Sequence, residues 1–316
     1  MVASTFEGPI VVVIGATGSQ GGSVITHLSR SDKPYRLRAV TRDASKPKAK
    51  DLEAAGCEVV EADIGKREDL DKVFAGADIV FAVTNFWEHM SAVRELEDGK
   101  RLVDAAKGAG TVKLFIWSGV ESVRKGSQGK LREVAHFDAK ADITEYALVS
   151  GLPIANVQAG CYMHNFTGTN FKPSRNPSTG ELEFALPISE KTNMSLLDVV
   201  SDYGAFVRAA IELGGGKPLE VLGCSEEKTV REMVNEFNEV TGSNAQFRQL
   251  TPPQFLELVP GQIGVEMLEM LQWFEQYGYY NGKDVVPSQK AASGLGGVKL
   301  TPWKDFVKAN FKEGDF

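Results

Sequence analysis

VVVIGATGSQGG, residues 11–22, is a β-branched run that breaks into glycines. A continuous apolar run of this kind suits a strand buried on both faces. Gly15, Gly18 and Gly21 follow it at G-x-x-G-x-x-G spacing. At a strand-to-helix turn such glycines let the backbone fold back tightly and let a pyrophosphate approach, while the helix N-terminus behind them attracts negative charge. A glycine triplet alone says little. Its weight comes from the units behind it, where strand patterns over 35–41, 58–63, 78–84, 113–119 and 152–158 alternate with helical patterns over 21–29, up to about 56, 68–76 and 91–108. A further helix carries HFDAK, 136–140. Strict alternation implies crossover connections and a parallel sheet covered on both faces. The expected fold is α/β, a Rossmann-type doubly wound parallel sheet over 1–160 with a smaller C-terminal α/β subdomain over 161–316 and no linker between them. In the second part, helices are expected over about 198–212, 226–241 and 264–276, with FKPSRNPSTG (171–180) as loop.

Composition narrows the function. The 316 residues are 42% hydrophobic and 24% charged, ordinary for a globular chain. A net charge of −7 argues against direct nucleic-acid binding, which rests on Lys and Arg neutralising phosphates. Cys57, Cys161 and Cys224 are an odd number without C-x-x-C spacing, so reduced, buried thiols are expected, and a cytoplasmic or nuclear setting with them. MVASTFEGPIVVVIG lacks a basic n-region, and runs such as VVVIG and ADIVFAV are too short to span a bilayer, so no membrane association is expected. The four histidines are scattered without ligand spacing, and no metal site is expected. No G-x-S-x-G elbow supports hydrolysis. ELED, 95–98, reads as a solvated helix face, and WFEQYGYY, 273–280, as core or partner surface.

The second strand ends in VTRDASK. An acidic residue there bonds the ribose of NAD, whereas Arg suits a 2′-phosphate. Arg42 with Lys46 four residues on favours NADP(H); the adjacent Asp43 keeps NAD(H) open.

GATGSQGGSV, VTRDASK, AVTNFWE, HFDAK and GCYMHNF, in this order and spacing, resemble the NmrA-like family of atypical short-chain dehydrogenases/reductases, and within it the HSCARG-type NADPH sensors. The likeness runs from Val11 to about Phe166. It implies that Gly15, Thr17, Gly18, Ser19, Gln20 and Gly21 wrap the pyrophosphate and that Arg42 and Lys46 hold the 2′-phosphate. Asp63 and Ile64 would flank the adenine, and Thr84, Asn85 and Phe86 would line the path to the nicotinamide ribose. Lys140 would bond that ribose, and Cys161, Tyr162, His164 and Asn165 would close over the nicotinamide.

HFDAK places His136 and Lys140 on one helix face. In active short-chain dehydrogenases the pair is Tyr-x-x-x-Lys with a Ser on the preceding strand; here Lys140 is kept, Ser118 stands at the Ser position and His136 replaces the Tyr. Histidine titrates in a range suited to proton transfer, but a neighbouring ammonium would disfavour its charged form. The substitution weakens the case for an enzyme. Lys140 acting as a base, or a hydroxyl from Tyr162 or Tyr203, keeps it open. The first expectation is therefore an NADP(H)-binding regulator that senses nicotinamide redox state and acts through a protein partner. The alternative is an NADPH-dependent reductase of a small carbonyl or enone, with Lys140, His136 and Ser118 at the reacting centre. The loop expected over 123–130, VRKGSQGK, would border the cleft and move on binding.

Overall fold

The computed structural model describes residues 8–168, 171–214 and 219–312; residues 1–7, part of the stretch read above as no signal peptide, lie outside the described residues. Strand β1 (Ile10–Val13) leads into α1 (Ser19–Ser29), followed by β2 (Arg36–Thr41), α2 (Pro47–Ala54), β3 (Glu58–Glu61), α3 (Arg67–Phe74), β4 (Ile79–Ala82) and α4 (Ala92–Ala109). Next come β5 (Leu114–Trp117), α5 (Val123–Gly126), α6 (Ala135–Val149) and β6 (Ile154–Ala159). The remainder forms β7 (Cys161–Tyr162), α7 (Asn165–Gly168), β8 (Ser174–Arg175), β9 (Leu182–Leu186), β10 (Asn193–Leu197), α8 (Tyr203–Leu213), β11 (Leu219–Gly223), β12 (Glu226–Thr229) and α9 (Val230–Thr241). It ends with β13 (Gln246–Gln249), α10 (Pro252–Leu258), α11 (Gln262–Tyr277), α12 (Val286–Ser293) and α13 (Trp303–Asn310).

Among the described residues, seven strands form one parallel sheet in the order β11-β6-β5-β4-β1-β2-β3. The order reverses between β1 and β4, which opens a crevice beyond their carboxyl ends. Alternate β1 residues face opposite cores: Val11 and Val13 pack with Val24 and Phe206, while Val12 packs with Phe74, Leu102 and Ile143. One face thus lies under α1 and α8, the other under α3, α4 and α6. The doubly wound sheet stands as expected.

Three details differ from the sequence reading. The seventh strand, β11, lies beyond residue 160 and pairs with β6, so the sheet draws on both sides of that position. Five residues carry too little alternation to read as a strand; pairing defines it. Over 226–241 the first four residues are strand β12, because Thr229 and Glu232 form a capping box that starts α9 at Val230. Residues 123–130 contain the short helix α5, with Asp138 Oδ1 accepting from Ser122 Oγ (2.9 Å) and from the Arg124 N–H (3.0 Å).

The C-terminal part has its own core, which includes Trp273, Phe274, Tyr279 and Tyr280, so the aromatic run is core. Tyr279 and Tyr280 also stitch this core to the sheet, donating to the carbonyls of Ala159 (2.8 Å) and Gly223 (2.9 Å).

Helix α8 crosses α1 at closest approach where Gly204 meets Ser23: the Gly204 N–H donates to Ser23 Oγ (2.9 Å), and a Cβ on Gly204 would lie 2.1 Å from the Ser23 carbonyl oxygen. Gly204→Ala should therefore lower unfolding stability by about 1–3 kcal/mol through overpacking. Urea unfolding at unchanged m-value checks this, and an unshifted midpoint would show the two backbones free to separate.

Candidate functional site

The glycine turn is built as an anion cradle. Gly15 takes the left-handed region (φ +66°), and a Cβ on Gly21 would lie 2.3 Å from the Gly15 oxygen. Helix α1 starts directly behind, with no side-chain cap and no acid in its first turn, so its leading N–H groups face the crevice unneutralised. Gly15, Gly18 and Ser19 are exposed there. Thr17 Oγ1 lies 3.4 Å from Thr41 Oγ1, tying the turn to the end of β2. These residues fit a dinucleotide pyrophosphate.

At the β2 end, Arg42 and Lys46 stand exposed, and Arg42 is ion-paired to Glu88 across the crevice. Asp43 accepts from the Ser45 backbone and hydroxyl, and those bonds hold its carboxyl below the usual range. Beyond β3, Asp63 turns back to accept from the Gly65 N–H (2.8 Å), while the half-buried Ile64 gives its carbonyl to Arg101 (3.3 Å).

The buried centre lies past β4. Lys140 Nζ donates to Glu95 Oε1 (2.7 Å), Thr84 Oγ1 (2.9 Å) and Thr84 O (3.0 Å), and Thr84 Oγ1 donates to the same carboxylate oxygen (2.5 Å). Burial pushes the Lys140 ammonium below its ordinary value; Glu95 opposes that shift. Glu95 is 0% exposed, and its other oxygen lies 3.5 Å from His89 Nε2. The ELED reading thus needs correction: Glu95 is a buried counter-ion and Asp98 is buried too, while Glu97 is exposed. The signal was present, since Glu95 heads the stripe Gly99, Leu102, Val103, Ala106 on the buried face of α4.

His136 has a different carboxylate. Its Nδ1 lies 2.5 Å from Glu266 Oε1, which also accepts the His136 backbone N–H (2.8 Å). Glu266 belongs to α11, 130 residues away, and sequence gave no hint of the meeting. The ring also lies 4.8 Å from Trp87 and 5.9 Å from Phe86. His136 and Lys140 share a helix face as expected, yet each is bonded to its own carboxylate, Glu266 and Glu95.

Both line a cavity of about 440 Å³ between the sheet ends and α11. Its walls are mainly apolar, with Phe137, Phe171, Met267, Met270, Phe274 and Tyr279 contributing. Gln20, Ser118, Cys161, Tyr162 and Asn165 also reach it, and Gln20 Nε2 donates to Tyr162 Oη (2.6 Å). Ser118 is buried, its N–H given to the Ala82 carbonyl. Asn85 is exposed at the crevice, and Phe86 is buried. His164 is not among the lining residues: its ring packs edge-on to Phe306 (4.9 Å), with Nδ1 4.0 Å from Asp198. Tyr203 drops out as a hydroxyl source, being buried beneath the sheet with its O–H on the Val157 carbonyl (2.9 Å). The three cysteines are free and buried, and burial pushes the Cys161 thiol up to about 12. Among the described residues, no cluster of three or more His, Cys, Asp or Glu could hold a metal, and no helix is long and apolar enough to cross a membrane.

The model of the NmrA-like family matches residues 8–307. The NmrA-like family domain-containing oxidoreductase cpsB of Aspergillus campestris is 30% identical over 256 residues, 75% of this chain and 74% of that protein. The similarly named oxidoreductase ptmS of Penicillium ochrochloron is 28% identical over 300 residues, 89% of this chain and 88% of that one. Among solved structures, the negative transcriptional regulator NmrA in complex with NADP superposes with a TM-score of 0.77 at 20% identity, over 96% of this chain and 95% of its own. Triphenylmethane reductase of Citrobacter sp. with NADP(H) does so at 0.73 and 19%, over 96% and 100%. At these identities the structural likeness speaks for the fold.

Two measurements probe the buried centre. Glu95→Ala leaves the Lys140 ammonium without its counter-ion and should cost about 3–5 kcal/mol at neutral pH. With its folded-state pKa below the ordinary 10.5, Lys140 binds fewer protons folded than unfolded, so the variant should regain stability as pH rises toward that value. Urea unfolding between pH 7 and 10 tests both, and a loss that does not shrink with pH would refute the charge argument. For the thiols, the folded protein at pH 8 should stay unreactive to a disulfide reagent until denaturant exposes all three; one rapid equivalent would mean an accessible thiolate.

Proposed function

The chain belongs to the NmrA-like family, and on that premise we propose that it binds NADP(H) and reduces a small, largely apolar carbonyl or enone compound. The observation that carries this reading is the apolar cavity into which Lys140 and His136 both open. A cavity of about 440 Å³ walled largely by aromatic and methionine side chains suits a small-molecule substrate.

The glycine turn and α1 would hold the pyrophosphate, Arg42 and Lys46 the 2′-phosphate, and Lys140 with Thr84 the nicotinamide ribose. NADPH, when bound, supplies the hydride. The chain must then deliver a proton to the substrate oxygen and keep water out of the cavity. His136 is the group for the proton. Glu266 fixes Nδ1 as the donor toward its carboxylate, so Nε2 is the nitrogen that gives and regains a proton. After transfer the neutral ring keeps its Nδ1–H on Glu266, and the ring is recharged from solvent beside the exposed Trp87.

Absorbance at 340 nm with a panel of apolar quinones, enones and aldehydes tests the reading. His136→Ala should lower kcat by about 10²–10⁴ with little change in NADPH affinity. Lys140→Ala should weaken NADPH binding.

A second reading, redox sensing through a protein partner, is favoured by the histidine standing where active relatives of the fold place tyrosine. Calorimetry separates the two. A sensor requires NADPH and NADP+ affinities differing by about tenfold, about 1.4 kcal/mol. Equal affinities together with turnover support the reductase; unequal affinities with no panel member reduced would replace it with the sensor.

A further inference from the structure

The strand order β4-β1-β2 puts Arg42, just past β2, and Glu88, beyond β4, on opposite sides of the glycine turn that follows β1. Their side chains nevertheless meet in an ion pair. That pair spans the crevice above the turn where a pyrophosphate would lie. Both partners are largely solvent-exposed, at 68% and 47% of their side-chain surface, so the contact is one that a stronger anion can displace.

Glu88 closes a single 3-10 turn, Phe86–Glu88, which also roofs the apolar cavity. The turn is held at three points. Phe86 is buried, the Trp87 ring lies 4.8 Å from the His136 ring, and Glu88 is on Arg42. Two residues on, Met90 has φ +52°, a left-handed conformation that a side chain of this kind adopts at a cost. Trp87 and Met90 are both exposed, at 47% and 45%. A strained, exposed turn whose outer anchor is one surface ion pair is built to change position when that pair is exchanged.

We propose that the Arg42–Glu88 pair is a cofactor-selective clasp: Arg42 exchanges Glu88 for the 2′-phosphate of NADP(H), and the freed turn carries Trp87 away from His136, opening the cavity to substrate. The inference rests on the NADP(H) reading above. Its logic is electrostatic. With Glu88 in place, a 2′-phosphate would meet a carboxylate beside its only partner at the end of β2 that reaches across the crevice. A nucleotide lacking that phosphate gives Arg42 nothing to exchange and leaves the clasp shut. Substrate access is thereby tied to which dinucleotide is bound.

The test needs no turnover. Adenosine 2′,5′-bisphosphate is the probe and AMP its control, titrated by calorimetry and by tryptophan emission. Glu88→Gln should tighten the bisphosphate by about fivefold, the upper range for releasing an exposed pair, while leaving AMP unchanged. The gain should vanish in an Arg42→Ala background, as it must if the two side chains act on each other. Because Trp117, Trp273 and Trp303 are fully buried, a red shift on adding the bisphosphate reports Trp87, and Trp87→Phe should abolish it. AMP should give no shift, and Glu88→Gln should show the shifted emission before any ligand is added. If the bisphosphate binds but Glu88→Gln changes neither affinity nor emission, the clasp is refuted and NADP(H) binding stands. If neither nucleotide binds the wild-type chain, the NADP(H) reading fails and takes the clasp with it.

Discussion

A lysine ammonium and a glutamate carboxylate, buried 2.7 Å apart, join three elements of the fold at one point. Glu95 comes from α4, Lys140 from α6, and Thr84, which bonds both, from the end of β4. Such a pair is a poor source of net stability, since desolvating both charges consumes most of what their attraction returns. What it secures is position. Removing either partner strands a charge in a low-dielectric site, so the arrangement tolerates little drift. The end of β4 and the register of α6 are therefore fixed relative to each other, and the crevice at the strand-order reversal keeps a defined wall.

The second carboxylate contact, Glu266 on His136, fixes the other wall. Helix α6 has no side-chain cap of its own. The N–H groups around its start are taken instead by α11, with Glu269 accepting from Arg132 (2.6 Å) and Glu133 (2.8 Å) and Glu266 from His136 (2.8 Å). Glu266 thus supplies from outside the cap that the helix lacks, while Glu269, one turn on, holds the segment leading into it, both at the end where the dipole favours negative charge. The same α11 lines the apolar cavity through Met267, Met270 and Phe274. Cavity wall, helix cap and histidine orientation are one piece of structure, which is why the site exists only when the C-terminal part is docked on the sheet.

How much of this could be read beforehand follows from what is local. The glycine turn, Arg42 and the face shared by His136 and Lys140 are matters of short-range geometry, and the structure places them as the sequence suggested. Glu95 looks solvated because three of the four residues in ELED are charged, although helical periodicity puts it on the buried stripe. Glu266 was beyond reach, since its meaning lies in a contact 130 residues away. Likewise β11 is a strand only by virtue of β6, and His164 leaves the cavity because Phe306, near the end of the chain, gives its ring a place to pack.

The two basic groups of the HFDAK turn differ in what losing a proton would leave behind. For Lys140 it would leave Glu95 as a lone buried anion, with Thr84 the one side-chain donor still on its Oε1. Burial favours the neutral amine, but the carboxylate resists it, and the net arrangement is one that holds a partner in place. His136 stands differently. Its carboxylate keeps two donors, the ring Nδ1–H and the backbone N–H, whether or not Nε2 carries a proton. Charge can therefore leave the imidazole without stranding Glu266. In the proposed reductase, proton transfer would fall to the group whose counter-ion stays hydrogen-bonded afterwards, and positioning to the group whose counter-ion does not. On that criterion a histidine at the tyrosine position would change the chemistry of the donor in the proposed reaction while the lysine keeps its place.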